Sequence, residues 1–181
     1  MPYTQTNFAV DYANITDTIN RLWFAVDVGD WVTVTALFAE EVVFDYTAVI
    51  GGEVQTLKGD ARITFFQGFG KNLDKFHHAI SALSQRAQNL LFVPNTIVID
   101  LPQPPEDKSQ PAEIAARFNS NIAYVQESAK NGSVMNAGGF YEFKLTYTPD
   151  TPSSLWNIIF FKAQTSWFKG NSKLLLDSKN A

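Results

Sequence analysis

His78 is one of only two histidines in this chain of 181 residues, and Asp27 falls where a first amphipathic helix is expected to end. A carboxylate set against an imidazole fixes its orientation and tautomer, and an imidazole so held can move a proton near neutral pH. The two lie far apart in the chain, so only a fold can join them. His77 has the opposite strand parity to His78 and is expected on the other side of the sheet. A carboxylate at a helix C-terminus is disfavoured by the helix dipole, which points to a functional reason for Asp27.

Other chemistries find little support. Adjacent histidines on a strand are a poor metal pair, and no H-x-H or E-x-x-H group supplies further ligands. Gly51-Gly52-Glu53, Gly68 and Gly70 do not form a phosphate loop, and no serine sits in a G-x-S-x-G elbow. The absence of cysteine excludes disulfides, thiolate metal sites and a cysteine nucleophile. No metal, nucleotide or organic cofactor is therefore expected.

The net charge of −4 comes without a basic run, so a nucleic-acid partner is disfavoured. Apolar stretches such as Leu90 to Val93 and Ile158 to Phe161 are too short to cross a bilayer, and the first ten residues carry no signal-like pattern. A cytoplasmic location and a small apolar ligand are the simplest expectations. With 45% hydrophobic and 18% charged residues, the chain reads as one folded domain over 1–181.

Ile15, Ile19, Leu22 and Val26 recur at helical spacing, with Asn14 or Thr16 as candidate cap and Gly29 as the stop. Asp30 is placed to cap a second short helix through Phe38. A strand over Glu41 to Tyr46 and a third helix over Asp60 to Leu73 follow. Beyond Phe76 only strands are expected, over Phe76 to Leu83, Thr96 to Leu101, Ala112 to Glu127, Gly138 to Tyr147 and Leu155 to Ser166. The proline-rich stretch 102–111 reads as an exposed loop, and Lys130 to Gly132 and Pro149 to Ser154 as turns.

Three helices before an antiparallel meander imply an α+β architecture, with helices on one face of a strongly curved sheet that encloses a pocket. In Gly138 to Tyr147 alternation puts Tyr141, Phe143, Leu145 and Tyr147 inward, opposite Glu142, Lys144 and Thr146. Trp156, Ile158 and Phe160 take the outward parity of the last strand, apolar enough for a homodimer or homotrimer. The four tryptophans are otherwise read as core, and Asp45 as outward and structural.

The segments AVDVGDWVTVTALFAEEVVFDY, KFHHAIS and LWNIIFFKAQTSWFKGN resemble the SnoaL-like, scytalone dehydratase-like proteins of the nuclear-transport-factor-2-like superfamily. Asp27, Asp30-Trp31, Asp45-Tyr46 and His78 follow the family order, and the resemblance runs over roughly residues 12–170. It implies a cone-shaped α+β barrel. It also implies catalytic roles: His78 as the base that removes an α-proton, Asp27 as its orienter, and Tyr46 as a donor that polarises a carbonyl. Trp23, Tyr124, Tyr141, Phe143 and Asn121 are the substrate contacts it suggests. Departures stand beside these matches. Val26 occupies the place of a family tyrosine, Tyr124 that of a second pocket histidine, and Tyr141 and Phe143 fall near a family serine and asparagine.

The implied activity is a cofactor-independent lyase or isomerase that dehydrates or isomerises a polyketide- or terpenoid-like ketone. A cyclase that controls substrate conformation in an aromatic pocket is the alternative, and a non-catalytic binding or assembly module is a third.

Overall fold

The computed structural model describes residues 2–70, 73–79, 82–83, 92–93, 97–104, 109–151 and 154–176. Helix α1 (Gln5–Val28) starts well before Asn14 and Thr16. Its cap is Thr4, whose Oγ1 accepts the Asn7 N–H at 3.1 Å while Asn7 Oδ1 accepts the Thr4 N–H at 3.0 Å. The apolar stripe hides this start because Asp11, on the inward face, is buried too. Gly29 ends the helix in a left-handed conformation at φ 73°, as its glycine allows. Asp30 then caps α2 (Trp31–Leu37) by accepting the Thr33 N–H at 3.1 Å.

The chain continues through β1 (Phe38–Asp45), α3 (Thr47–Ile50), β2 (Gln55–Lys58), α4 (Ala61–Gly70) and β3 (Lys75–Ala79). Short strands β4 (Ala82–Leu83), β5 (Phe92–Val93) and β6 (Val98–Ile99) precede three long ones. These are β7 (Glu113–Val125), β8 (Val134–Tyr147) and β9 (Trp156–Gly170), with α5 (Lys173–Leu176) after them. The elements α3, β2, β5 and α5 were not anticipated; each is four residues long or shorter, too short for a periodic pattern to register. Thr96 and residues 80–81 of the expected strands, 71–72 of the expected third helix, 105–108 of the expected loop and 152–153 of the expected turn lie outside the described residues.

Strand order in the main sheet is β2-β1-β9-β8-β7-β3, with β6 also on β7, and β4 pairs with β5 in a separate sheet. The sheet is curved, unclosed and mixed, which corrects the expectation of a purely antiparallel one. After the β7–β8–β9 meander the chain returns beside β1 in the same direction, and β1 and β9 pair in parallel. Register shifts interrupt β8·β9 at Gly138/Gly139 and Lys144/Leu145. Such irregularities bend and twist strands.

The second shift reverses the parity of β9. Ile158 pairs with Leu145 on the inner face, whereas Phe160 pairs with Lys144 on the outer one. Trp156 and Ile158 are consequently 0% exposed, so neither belongs to an outward patch. Trp31 is half-buried and packs against the core, whereas Trp167 is 47% exposed and lies outside the expected core.

Asp11 fastens α1 to the rest of the molecule. Its carboxylate accepts from Tyr3 Oη at 2.7 Å, Gln110 Nε2 at 2.8 Å and Trp156 Nε1 at 2.9 Å. Burial, and then the Asp11 hydrogen bond, push the Tyr3 phenol above its ordinary pKa, so it remains a donor. Asp11→Ala leaves these donors without their acceptor and is expected to cost about 2–4 kcal/mol of stability. Urea unfolding midpoints measure this, and Asp11→Asn should restore part of the loss.

Candidate active site

Asp27 is the penultimate residue of α1, and its carboxylate takes hold of β3 at the neighbouring strand. Oδ2 accepts the His78 backbone N–H at 2.8 Å, and Oδ1 lies 2.6 Å from His78 Nδ1. Both side chains are buried, with 8% of His78 and 11% of Asp27 exposed. A neutral imidazole in this contact carries its proton on Nδ1, which leaves proton exchange with a ligand to Nε2. His77 takes the exposed side that strand parity predicts, yet it too reaches Asp27. Although its ring is 78% exposed, Nδ1 comes within 3.3 Å of Asp27 Oδ2, because the carboxylate sits at the strand edge within reach of either parity.

Trp23 lies one helical turn before Asp27, and its indole stacks on His78 with ring centroids 4.1 Å apart at 28°. Pairing of β3 with β7 sets His78 opposite Ile122 and Phe76 opposite Tyr124. The inward residues of β7 are therefore Ser120, Ile122 and Tyr124. With Tyr46 and Tyr141 they line, beside Trp23 and His78, a cavity of about 660 Å³ including its open mouth. Tyr46 stands at the β1–α3 junction, its ring stacked on Phe161 at 5.3 Å.

Burial lowers the pKa of His78 below its ordinary value, against the opposing pull of Asp27, and so keeps the ring neutral. Burial also raises the phenols of Tyr46, Tyr124 and Tyr141, so these groups stay protonated and act as donors. Ser120, which lines the cavity beside Tyr141, acts against that rise. The site thus joins a neutral base to several neutral donors. Among the described residues no lysine or arginine lines the cavity, and no group of three or more His, Asp or Glu is placed to hold a metal ion.

The fold therefore brings His78, Tyr46, Trp23, Tyr124 and Tyr141 to one cavity, with Asp27 directly behind His78. Phe143 does not line it. At 1% exposure it belongs to the core, two residues along β8 from Tyr141 and packed on Phe161 at 4.9 Å. Asn121 has the parity opposite to the lining residues Ser120 and Ile122, so it faces the sheet's other side. Alternation along β7 was the signal for this, and the same signal would have found Ser120. Gln164 and Thr165 also line the cavity, although the register shifts of β9 left no sequence pattern for them. Gly139 is required beside them, because a Cβ there would run into the Gln164 carbonyl.

A curved mixed sheet closed by an N-terminal helix, with a carboxylate-held histidine in its hollow, defines an α+β pocket protein. Residues 8–161 match the SnoaL-like domain, and the chain belongs to that family. No curated protein matches it by sequence. Among solved structures it is similar to the Kfla4162 protein of Kribbella flavida, with 13% identity, TM-score 0.71, and coverage of 93% of this chain and 98% of that one. A candidate scytalone dehydratase from Novosphingobium aromaticivorans is similar at 15% identity and TM-score 0.63, with 90% and 89% covered. Hexachlorocyclohexane dehydrochlorinase LinA-type3 from Novosphingobium barchaimii is similar at 8% identity and TM-score 0.66, with 93% and 95% covered. These likenesses concern the fold. No helix of the described residues is long and apolar enough to cross a membrane.

The buried titrating groups imply two pH limits. On acidification the unfolded chain protonates His78 first, near 6.5, so stability is lost as pH falls through that value. On alkalinisation unfolded tyrosines ionise near 10.0 while Tyr46, Tyr124 and Tyr141 resist, so stability is lost as pH rises past it. Urea midpoints measured across both limits should show the acid loss reduced in His78→Gln and the alkaline loss unchanged.

Proposed function

We propose that the chain is a cofactor-independent lyase or isomerase acting on a neutral, enolisable ketone of polyketide or terpenoid type. The observation that carries this reading is His78, buried in the cavity wall with Asp27 Oδ1 2.6 Å from its Nδ1. In the reaction His78 Nε2 takes a proton from the carbon next to the carbonyl, and the electron pair of that C–H bond moves into the enolate. Asp27 balances the imidazolium that forms. Phenol O–H groups of Tyr46 and Tyr141 donate to the enolate oxygen, where each donor is worth about 3 kcal/mol.

The imidazolium then returns its proton. Delivered to a β-hydroxyl as the C–O bond breaks, it yields water and an unsaturated ketone; delivered to another carbon, it yields an isomer. Among the described residues no cationic side chain lines the cavity, which favours a neutral substrate over a carboxylate or phosphate. The fold likeness to proteins named as a dehydratase and a dehydrochlorinase supports elimination as the reaction type.

Incubation with neutral β-hydroxy ketones in heavy water tests both outcomes, by deuterium uptake beside the carbonyl and by loss of one water in mass. His78→Ala and Asp27→Asn are each expected to lower turnover by about 10²-fold or more while keeping the fold. Tyr46→Phe should lower kcat more than it raises KM. Unchanged rates in the His78 and Asp27 variants would overturn the proposal.

A further inference from the structure

We propose that Trp23 is a positioning residue that sets the strength of His78 as a base: its indole face lies along the imidazole and stabilises the imidazolium form. The inference rests on the reading of His78 as the proton acceptor and assigns a role to the ring that covers it. The two rings stack at 4.1 Å and 28°. Trp23 itself is 2% exposed, so this contact is made away from bulk water. An imidazolium spreads its charge over the whole ring, and a parallel indole offers it the most electron-rich face of any side chain. Neutral imidazole gains much less from that face. The contact therefore favours the charged form, which accumulates as the proton is transferred.

Two features separate this role from that of an ordinary cavity wall. First, among the described residues Trp23 Nε1 is buried without a hydrogen-bond partner, so packing sets the ring's plane. That packing comes from Tyr141 at 4.6 Å and Phe161 at 5.7 Å. Second, the described groups that face His78 act on its charge in opposite senses. Asp27 from α1 supplies one negative charge along the ring edge, and His77 on the same strand opposes protonation. Tyr46, Tyr124 and Tyr141, from the β1–α3 junction, β7 and β8, remain neutral phenols. Burial acts against the charge throughout. Trp23 acts on the ring's face, where Asp27 does not reach.

Fluorinated tryptophans placed at position 23 of the full chain withdraw π density stepwise and keep the shape of the ring, so folding and the cavity wall are preserved. The readouts are the NMR titration of the His78 ring proton, assigned with His78→Gln, and kcat and KM on a turned-over β-hydroxy ketone. Each added fluorine is expected to lower the His78 midpoint and kcat together, by about 3- to 10-fold in kcat across the series, with KM constant. Trp23→Phe, with a smaller π face, should fall within the series. An unmoved midpoint, or a loss carried by KM alone, overturns the inference whatever the activity of His78→Ala. A stepwise midpoint with full turnover in His78→Ala upholds the stacking and removes only the catalytic reading. If the folded chain does not persist to the His78 midpoint, the kcat series decides.

Discussion

Asp27 grips His78 twice, through the backbone N–H at 2.8 Å and ring Nδ1 at 2.6 Å, and in doing so ties the end of α1 to strand β3. A buried carboxylate at the negative end of a helix is unfavourable by itself. Two donors from β3 meet that cost, and they arrive only if helix and strand are docked in one arrangement. The same contact that seats the helix on the sheet therefore orients the base. Because β3 is paired residue for residue with β7, fixing His78 also fixes which β7 side chains share its cavity.

Opposite this polar clamp stands an aromatic frame centred on Phe161, a fully buried residue of β9. Its ring lies 5.7 Å from Trp23, 5.3 Å from Tyr46 and 5.3 Å from Tyr141. One core side chain thus braces the cover of His78 and two of the phenols. Offset and edge-on ring contacts of this kind add modest specific energy to a large apolar burial. Their greater effect is geometric, since donors held by a packed core need no rearrangement as charge develops on a ligand. Phe161 faces inward only because the β8·β9 register slips at Lys144/Leu145.

Much of this was legible one element at a time. Gly29 as the helix stop and Asp30 as the next cap follow from local chemistry, and both occur as read. Period-two alternation along β8 placed Tyr141, Phe143 and Leu145 inward, where they lie buried. Alternation says which face a residue takes and not how far along the cone it sits, so it could not separate Tyr141 at the cavity from Phe143 in the core beneath. At Trp156 and Ile158 the pattern misled, because a bulge is one inserted position that local sequence does not mark. The start of α1 was hidden for a different reason. Asp11 faces inward only because Tyr3, from before the helix, and Gln110 and Trp156, distant in the chain, supply donors.

The sequence by itself determined the residue types available for chemistry: one buried-strand imidazole, a carboxylate at a helix end, several phenols and no thiol. Helix ends, strand parity and family pattern followed from short-range rules that act within a few residues. Tertiary structure decided the rest. It joined Asp27 to His78, turned His77 toward the same carboxylate, laid Trp23 on the imidazole and made β9 run parallel to β1. Each of these depends on where two distant segments meet, and that position is set by the summed packing of the whole sheet and helix, which no local pattern contains.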